Sequence, residues 1–285
     1  MKPAPFTYHA PCTIAQAVDL LAELAPRGGR VLAGGQSLVP AMAFRLARPE
    51  HLIDINGITA LDSRRLADGT LAIGALTRHA AFHQPHPAHG ALGRLLASVA
   101  THIAHYPIRT RGTLCGSLAH ADPASEWCLV AATLDAELHA VSARGGRRLR
   151  GETFFRGLMA TALSPDELLV EARLPLLPEG TRCGFWEFSR RAGDYALAMA
   201  LVTYRLDGGR LRGVRVGLGA VEEKPRRVTA AEAALEGQVL SPATFTAAAE
   251  AARDAVAPLD DPQTSAAYRR DLAGTAVLRA LETAA

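Results

Sequence analysis

Arg30–Met42 reads RVLAGGQSLVPAM, and the fold turns on how this stretch is taken. Val31, Leu32 and Ala33 form a short apolar run bounded by turn residues, which predicts a buried strand. Gly34 and Gly35 then let the chain turn sharply, with no Cβ to hold a ligand off the backbone. Gln36 and Ser37 add two hydrogen-bonding side chains before Leu38 and Val39 resume the apolar pattern. Such a turn aims several backbone N–H groups into one concavity, which suits a phosphate or pyrophosphate. On its own, the stretch fits an ordinary Gly-Gly connection between strand and helix at least as well. Neither a Gly-x-x-x-x-Gly-Lys-Ser/Thr loop nor the third glycine of the dinucleotide fingerprint is present.

Working outward, Thr13-Ile14-Ala15-Gln16 is a capping box, with Ile14, Val18, Leu21 and Ala25 on one helical face. Pro26-Arg27-Gly28-Gly29 ends that helix and leads into the central strand. Leu52–Ile55 reads as a second short strand, closed by Asn56-Gly57, so residues 1–57 form a compact α/β unit. Thr70–Leu76 is a further strand, and Thr77 opens a short helix. His79, His83, His86 and His89 recur at helical spacing, but Pro85 and Pro87 break the face and no carboxylate or cysteine joins it. We read them as a helix end rather than a metal site. Gly90–Ile103 is a longer helix burying Leu92, Leu95, Leu96 and Val99, stopped by Tyr106-Pro107.

A second informative stretch is Ile108–Glu126, IRTRGTLCGSLAHADPASE. Gly112 and Gly116 bracket Thr113, Leu114 and Cys115, and Ser117 supplies a hydroxyl. Ala119–Pro123 reads as a small-residue loop that ends at a helix start, where Glu126 can accept hydrogen bonds from ribose hydroxyls. His120, Asp122 and Ser125 are not a hydrolase triad, because no nucleophile sits on a strand–helix elbow. Cys115, among glycines, reads as a small packed residue rather than a reactive thiol.

Farther on, Trp127–Leu134 continues the helix, Ala136–Ser142 and Leu168–Leu174 are strands, and Pro175–Pro178 is a linker. The main domain boundary is placed there, giving units 1–57, 58–177 and 178–285. In the last unit, Cys183–Ser189, Ala196–Leu206 and Arg210–Val221 read as three strands, with Asp207-Gly208-Gly209 as a hairpin turn. Gly217-x-Gly219 is assigned to strand packing, since Glu222 occupies the third-glycine position of a dinucleotide motif. Alanine-rich helices follow at Thr229–Leu235, Pro242–Val256 and Ser265–Glu282.

The composition narrows the function. A chain of 285 residues, 49% hydrophobic and 21% charged, with a net charge of +3, is expected to be a globular protein of about two domains. Its basic residues are scattered arginines, with Lys2 and Lys224 the only lysines, which argues against a nucleic-acid groove. No apolar run reaches spanning length, and the N-terminus has no apolar core of a secretory signal. Cys12, Cys115, Cys128 and Cys183 are dispersed, so no zinc or iron–sulfur ligation is expected in this chain, and a cytoplasmic location is.

Taken together, Ala33-Gly34-Gly35-Gln36-Ser37-Leu38, Thr113-Leu114-Cys115-Gly116-Ser117, Ala121-Asp122-Pro123-Ala124 and Arg191-Ala192-Gly193-Asp194-Tyr195-Ala196 match a known family in order. The chain resembles the FAD-binding medium subunit of molybdenum hydroxylases, the group that includes xanthine dehydrogenase and carbon monoxide dehydrogenase. That resemblance covers essentially the whole chain. It implies an α+β fold with a vanillyl-alcohol-oxidase-type FAD-binding domain of two α/β subdomains. A C-terminal α+β domain, a three-stranded antiparallel sheet with a helical bundle, would follow. It also implies that Leu32–Leu38 and Thr113–Ser117 cradle the pyrophosphate and its ribitol side, with Ile103 near the adenine half and Glu126 on a ribose. Leu169 and Trp186 would line the flavin pocket, and Asp194 and Tyr195 would lie by the isoalloxazine ring. Cys115 departs from the family, many of whose members carry a second glycine there.

The function this implies is electron relay, with no residue of this chain acting on the organic substrate. Electrons would come from [2Fe–2S] clusters of a small subunit, after hydroxylation at a molybdopterin centre in a large subunit, within a dimer of heterotrimers. FAD would pass them to an external acceptor. Two alternatives stay open at this point: a self-contained FAD oxidase or dehydrogenase, and a scaffold subunit with a decayed flavin site. Intact Gly34, Gly35, Gly116 and Ser117 speak against decay.

Overall fold

The computed structural model describes residues 2–258, 260–262 and 264–284. The first unit contains β1 (Thr7–His9), α1 (Ile14–Leu24), β2 (Gly29–Leu32), α2 (Leu38–Ala43) and β3 (His51–Asp54). Its three strands run parallel in the order β1-β3-β2, with Val31 opposite Ile53. Thr13 caps α1 by accepting the Gln16 N–H at 3.2 Å. The Gln16 carboxamide, however, takes the N–H of Cys12 rather than that of Thr13, so the capping box closes one residue early. Ala17, Val18, Leu21 and Leu24 then bury one face of α1.

The second unit opens with β4 (Arg64–Ala67) and β5 (Thr70–Gly74) and continues through α3 (Gly90–His102), α4 (Tyr106–Arg109), α5 (Leu114–His120) and α6 (Glu126–Thr133). It closes with β6 (Glu137–Ser142), β7 (Gly145–Arg150), α7 (Gly151–Phe154), the short ribbon β8 (Phe155–Gly157) and β9 (Ala160–Thr161), and β10 (Leu168–Pro175). The five long strands make an antiparallel sheet, β4-β5-β10-β6-β7. Two readings shift here. Pro107 does not merely stop α3 but occupies the first turn of α4, where its missing N–H costs nothing. Leu114–His120 forms the helix α5, which was not expected, and the small-residue loop begins at Ala121 rather than at Ala119.

The last unit holds β11 (Arg182–Phe188), β12 (Ala198–Asp207), β13 (Arg210–Gly219), β14 (Arg226–Arg227), α8 (Thr229–Leu235), α9 (Pro242–Ala255) and α10 (Ala266–Ala284). Its antiparallel sheet has four strands, β11-β12-β13-β14, where three were expected. The added strand is only Arg226-Arg227, a pair of charged residues without an apolar alternation to announce it. Gly208 and Gly209, at φ +54° and +77°, make the expected tight hairpin between β12 and β13.

Period-two alternation gives this sheet two apolar faces. Phe185, Met199 and Leu201 point into a core shared with α1, α3, α5 and α6. Ala198, Ala200, Val202 and Tyr204 point the other way, into a core closed by α8, α9 and α10. Gly217 lies where α6 presses on β13. A Cβ there would fall 1.9 Å from Thr133 Oγ1, so the glycine admits the helix and has no role in binding a nucleotide. Among the described residues, no helix is long and apolar enough to cross a membrane.

Candidate cofactor site

The two glycine stretches meet at Gly34. A Cβ on Gly34 would lie 2.4 Å from the Arg111 carbonyl oxygen and 2.7 Å from Gly112 Cα. Only glycine lets the first turn close on the backbone that leads into the second. Gly35 follows at φ +73°, in the left-handed region. The chain is thereby turned so that, among the described residues, the backbone N–H groups of Gly34, Gly35, Gln36 and Ser37 have no protein acceptor. Gln36 folds back over the turn and donates from Nε2 to the Gly34 carbonyl at 3.0 Å.

A polar clamp holds the two turns together. Asn56 donates from Nδ2 to the Ala33 carbonyl at 2.8 Å and accepts at Oδ1 from the Arg78 guanidinium at 2.6 Å. The other terminal nitrogen of Arg78 donates to the Arg111 carbonyl. Arg78 is also bridged, backbone to backbone, to Thr113. Beneath it, His79 accepts the Trp127 indole N–H at Nδ1, at 2.9 Å. Burial first, then the charges of Arg78 and Arg109, push the His79 imidazole down to about 4, so it is neutral and serves as a buried acceptor. Arg78, Asn56 and His79 were not singled out as site residues from sequence. Asn56 read as part of an Asn-Gly turn, and His79 as the first of four regularly spaced histidines.

In the second turn, Thr113 caps α5, its Oγ1 accepting the Gly116 N–H at 3.0 Å. Gly116 has no room for a Cβ, which would sit 2.6 Å from that same oxygen. Cys115 is compatible with this geometry because its side chain leaves the turn altogether. It is buried, its thiol faces the Ile73 carbonyl at 3.7 Å, and burial pushes its pKa up to about 12. The thiol is therefore packed and inert. Leu114 is likewise buried, while Ser117 remains partly accessible.

The start of α6 rests on this turn, with Cys128 donating its S–H to the Ser117 carbonyl at 3.5 Å. Here lies an acidic corner. The Glu126 carboxyl is raised well above the usual range by burial and by the charge of Asp122. Tyr195 feels the charges of both Asp122 and Glu126, which brings the loop after β11 to the same corner. That loop is seated through Gly193, where a Cβ would lie 2.5 Å from His105 Cε1. Tyr195 itself is 71% exposed, and Asp194 is exposed beside it.

Ile103 and Leu169 are buried in the core shared by the first two units. Trp186 stacks on Phe188, ring centroids 6.3 Å apart, on the face of β11 that meets the C-terminal helices. Strand alternation therefore turns Trp186 away from the acidic corner and turns Glu187 toward it.

An open row of amides beside a guanidinium suits a pyrophosphate, and partly enclosed carboxyls suit hydroxyl-bearing sugars. The enclosed oxygen Glu187 Oε2 has no hydrogen-bond partner, and so marks a polar place left for a ligand. A dinucleotide with two phosphates and a polyol fits this donor and acceptor set.

Comparison with known proteins agrees with this geometry. Residues 4–177 match the FAD binding domain in molybdopterin dehydrogenase, and residues 184–284 match the CO dehydrogenase flavoprotein C-terminal domain. The chain is 36% identical to the nicotine 6-hydroxylase medium subunit of Paenarthrobacter nicotinovorans, over 99% of this chain and 98% of that one. It is 35% identical to the carbon monoxide dehydrogenase medium chain of Hydrogenophaga pseudoflava, over 100% and 98%. Among solved structures, carbon monoxide dehydrogenase from Hydrogenophaga pseudoflava aligns with a TM-score of 0.94 at 37% identity, covering 100% of this chain and 98% of that one. Quinoline 2-oxidoreductase from Pseudomonas putida 86 aligns with a TM-score of 0.92 at 36% identity, covering 100% and 98%. The chain belongs to the FAD-binding medium subunits of the molybdopterin dehydrogenases, the family of carbon monoxide dehydrogenase and xanthine dehydrogenase.

Proposed function

We propose that this chain is the electron-relay subunit of a molybdenum hydroxylase, holding one FAD between residues 1–57 and 58–177 in a vanillyl-alcohol-oxidase-type fold. The observation that carries this is the pairing of two glycine turns through Gly34, with four amides left without a protein acceptor and the turns tied together by Asn56 and Arg78. Leu32–Leu38 and Thr113–Ser117 take the pyrophosphate side of the cofactor. Glu126 takes hydroxyls, and Asp194 and Tyr195 border the end where the isoalloxazine ring lies. When bound there, FAD accepts electrons from [2Fe–2S] clusters of a small subunit, fed by a molybdopterin-binding large subunit, and yields them to an external acceptor. The chain's own residues bind and orient it, and none needs to move a proton on an organic substrate. A dimer of heterotrimers in the cytoplasm is the assembly in which this occurs, in keeping with four unpaired cysteines.

The direct test is the cofactor itself. Purified protein should be yellow and release FAD, identified by chromatography against FMN. Recovery of FMN, or failure to take up FAD on reconstitution, would sink the reading. The clamp gives a sharper check. Arg78→Met keeps the aliphatic stem but loses the hydrogen bonds to Asn56 and Arg111. Hydrogen bonds to a charged group contribute about 1.5–3 kcal/mol, so FAD affinity should fall about 10–100-fold by fluorescence titration. Unchanged affinity would show that the clamp is not part of the site.

A further inference from the structure

The parallel strands of the first unit end at the glycine turns. β3 stops at Asp54, which lies in register with Leu32 of β2, one residue before Ala33, and Tyr8 of β1 lies in register with Leu52 of β3. Open parallel sheets take ligands beyond the carboxyl ends of their strands. Here a row of hydrogen bonds crosses that end of the sheet. Tyr8 Oη donates to Asp54 Oδ2 at 2.6 Å. The other oxygen, Asp54 Oδ1, accepts the Asn56 backbone N–H at 2.9 Å and the Asn56 carboxamide Nδ2 at 2.5 Å. Asn56 then meets Arg78, and Arg78 meets the Arg111 carbonyl, so the row runs unbroken from the first strand into the second unit. Burial alone would raise the pKa of Asp54, but the hydrogen bonds from Tyr8 and Asn56 outweigh it and hold the carboxyl below its ordinary range.

A carboxamide has two ends of nearly the same shape and opposite hydrogen-bonding character. In Asn56, Nδ2 meets two acceptors, Asp54 and the Ala33 carbonyl, while Oδ1 meets the guanidinium of Arg78. Turned over, Nδ2 would face a group that can only donate, and Oδ1 would face a carboxylate and a carbonyl that can only accept. The Asp54 carboxylate supplies the charged part of this preference, and Tyr8 holds the carboxylate in place.

We propose that Asp54, held by Tyr8, is a positioning residue for the cofactor: it fixes the Asn56 carboxamide in the orientation that lets Arg78 tie the two glycine turns together. This rests on the reading that FAD lies along those turns. A purely local role is the competitor. Asp54 also caps the short turn Ile55–Gly57 through the Asn56 N–H, and a cap by itself would act on the first unit whether or not Arg78 is present. Coupling to Arg78 separates the two roles.

The test is FAD titration of the deflavinated full-length chain by flavin fluorescence, with circular dichroism confirming the fold of each variant. Asp54→Ala should bind FAD about 10–100-fold more weakly than wild type, and Tyr8→Phe about two- to tenfold more weakly. Asp54→Asn should stay within about threefold of wild type, because its Oδ1 still accepts from Asn56 and its Nδ2 donates to the Tyr8 hydroxyl, which can also accept. In an Arg78→Met background, Asp54→Ala and Tyr8→Phe should each cost less than about twofold, since the clamp they act through is already open. Equal losses in the two backgrounds overturn the positioning role. So does wild-type affinity in Asp54→Ala, or a loss in Asp54→Asn as large as that in Asp54→Ala. Should Asp54→Ala not fold, Tyr8→Phe with and without Arg78→Met decides by the same comparison. Each of these results leaves the FAD site standing, whereas a wild-type chain that takes up no FAD overturns the site and the inference together.

Discussion

Gly34→Val should leave a folded protein that no longer retains FAD. The valine Cβ would have to occupy space 2.4 Å from the Arg111 carbonyl oxygen and 2.7 Å from Gly112 Cα, and both neighbours are backbone. Neither can swing aside as a side chain tip would, so the first turn must lift off the second. Lifting it breaks the register in which Asn56 and Arg78 span the Ala33 and Arg111 carbonyls. It also disperses the row of open amides. Losing two charge-assisted hydrogen bonds, at about 1.5–3 kcal/mol each, weakens binding by about a hundredfold to about ten-thousandfold. Ser63→Ala, outside both turns, should keep wild-type affinity. The comparison is made on deflavinated protein by fluorescence titration, with circular dichroism to show that both variants fold. Equal FAD affinity in the two would remove Gly34 from the site.

The second large effect separates relay from self-sufficient oxidase. Loaded with FAD, the isolated chain should be bleached by candidate organic substrates at least about a hundredfold more slowly than the three-subunit complex. On the proposed relay reading, electrons reach the flavin from a partner subunit. On the proposed FAD placement, the docking margin near the isoalloxazine end is the loop that carries Asp194 and the 71% exposed Tyr195. Truncating an interface tyrosine of this kind costs about 2 kcal/mol or more. Tyr195→Ala should therefore slow flavin reduction in the complex about 10–30-fold while changing FAD retention much less. Stopped-flow absorbance reads both quantities. Rapid, substrate-dependent bleaching of the isolated wild-type chain would refute the relay.

What could be read from the sequence followed how local each signal is. The Arg30–Met42 turn, the capped helix α1, the β12–β13 hairpin and the alanine-rich helices each carry their period or turn chemistry within a dozen residues. Elements without such a signal were missed. β1 is three residues, β4 is the polar edge RRLA, and β14 is two arginines, so none shows an apolar alternation. The helix α5 was hidden by its glycine and small residues, although Thr113 is an ordinary cap for it. The two glycine turns were legible because their backbone geometry demands particular residue types. Arg78 and Asn56 were not, because one arginine or asparagine among many becomes special only when two distant turns meet. Trp186 and Glu187 show the same limit. Alternation says that they face opposite ways, but which face meets the nucleotide half is decided by α3 and α10, far away in the chain.

The sheet with two apolar faces bears on how such subunits can diversify. Residues 184–284 match a separate family segment, which invites the idea of an exchangeable module. Yet Phe185, Met199 and Leu201 belong to the core of the other segment, and Gly217 is shaped to the side chain of Thr133. A chimera that joined this C-terminal segment to a relative's N-terminal half would have to match α3 and α6 knob for hole. Exchange at the linker should therefore cost stability unless both partners of each contact travel together.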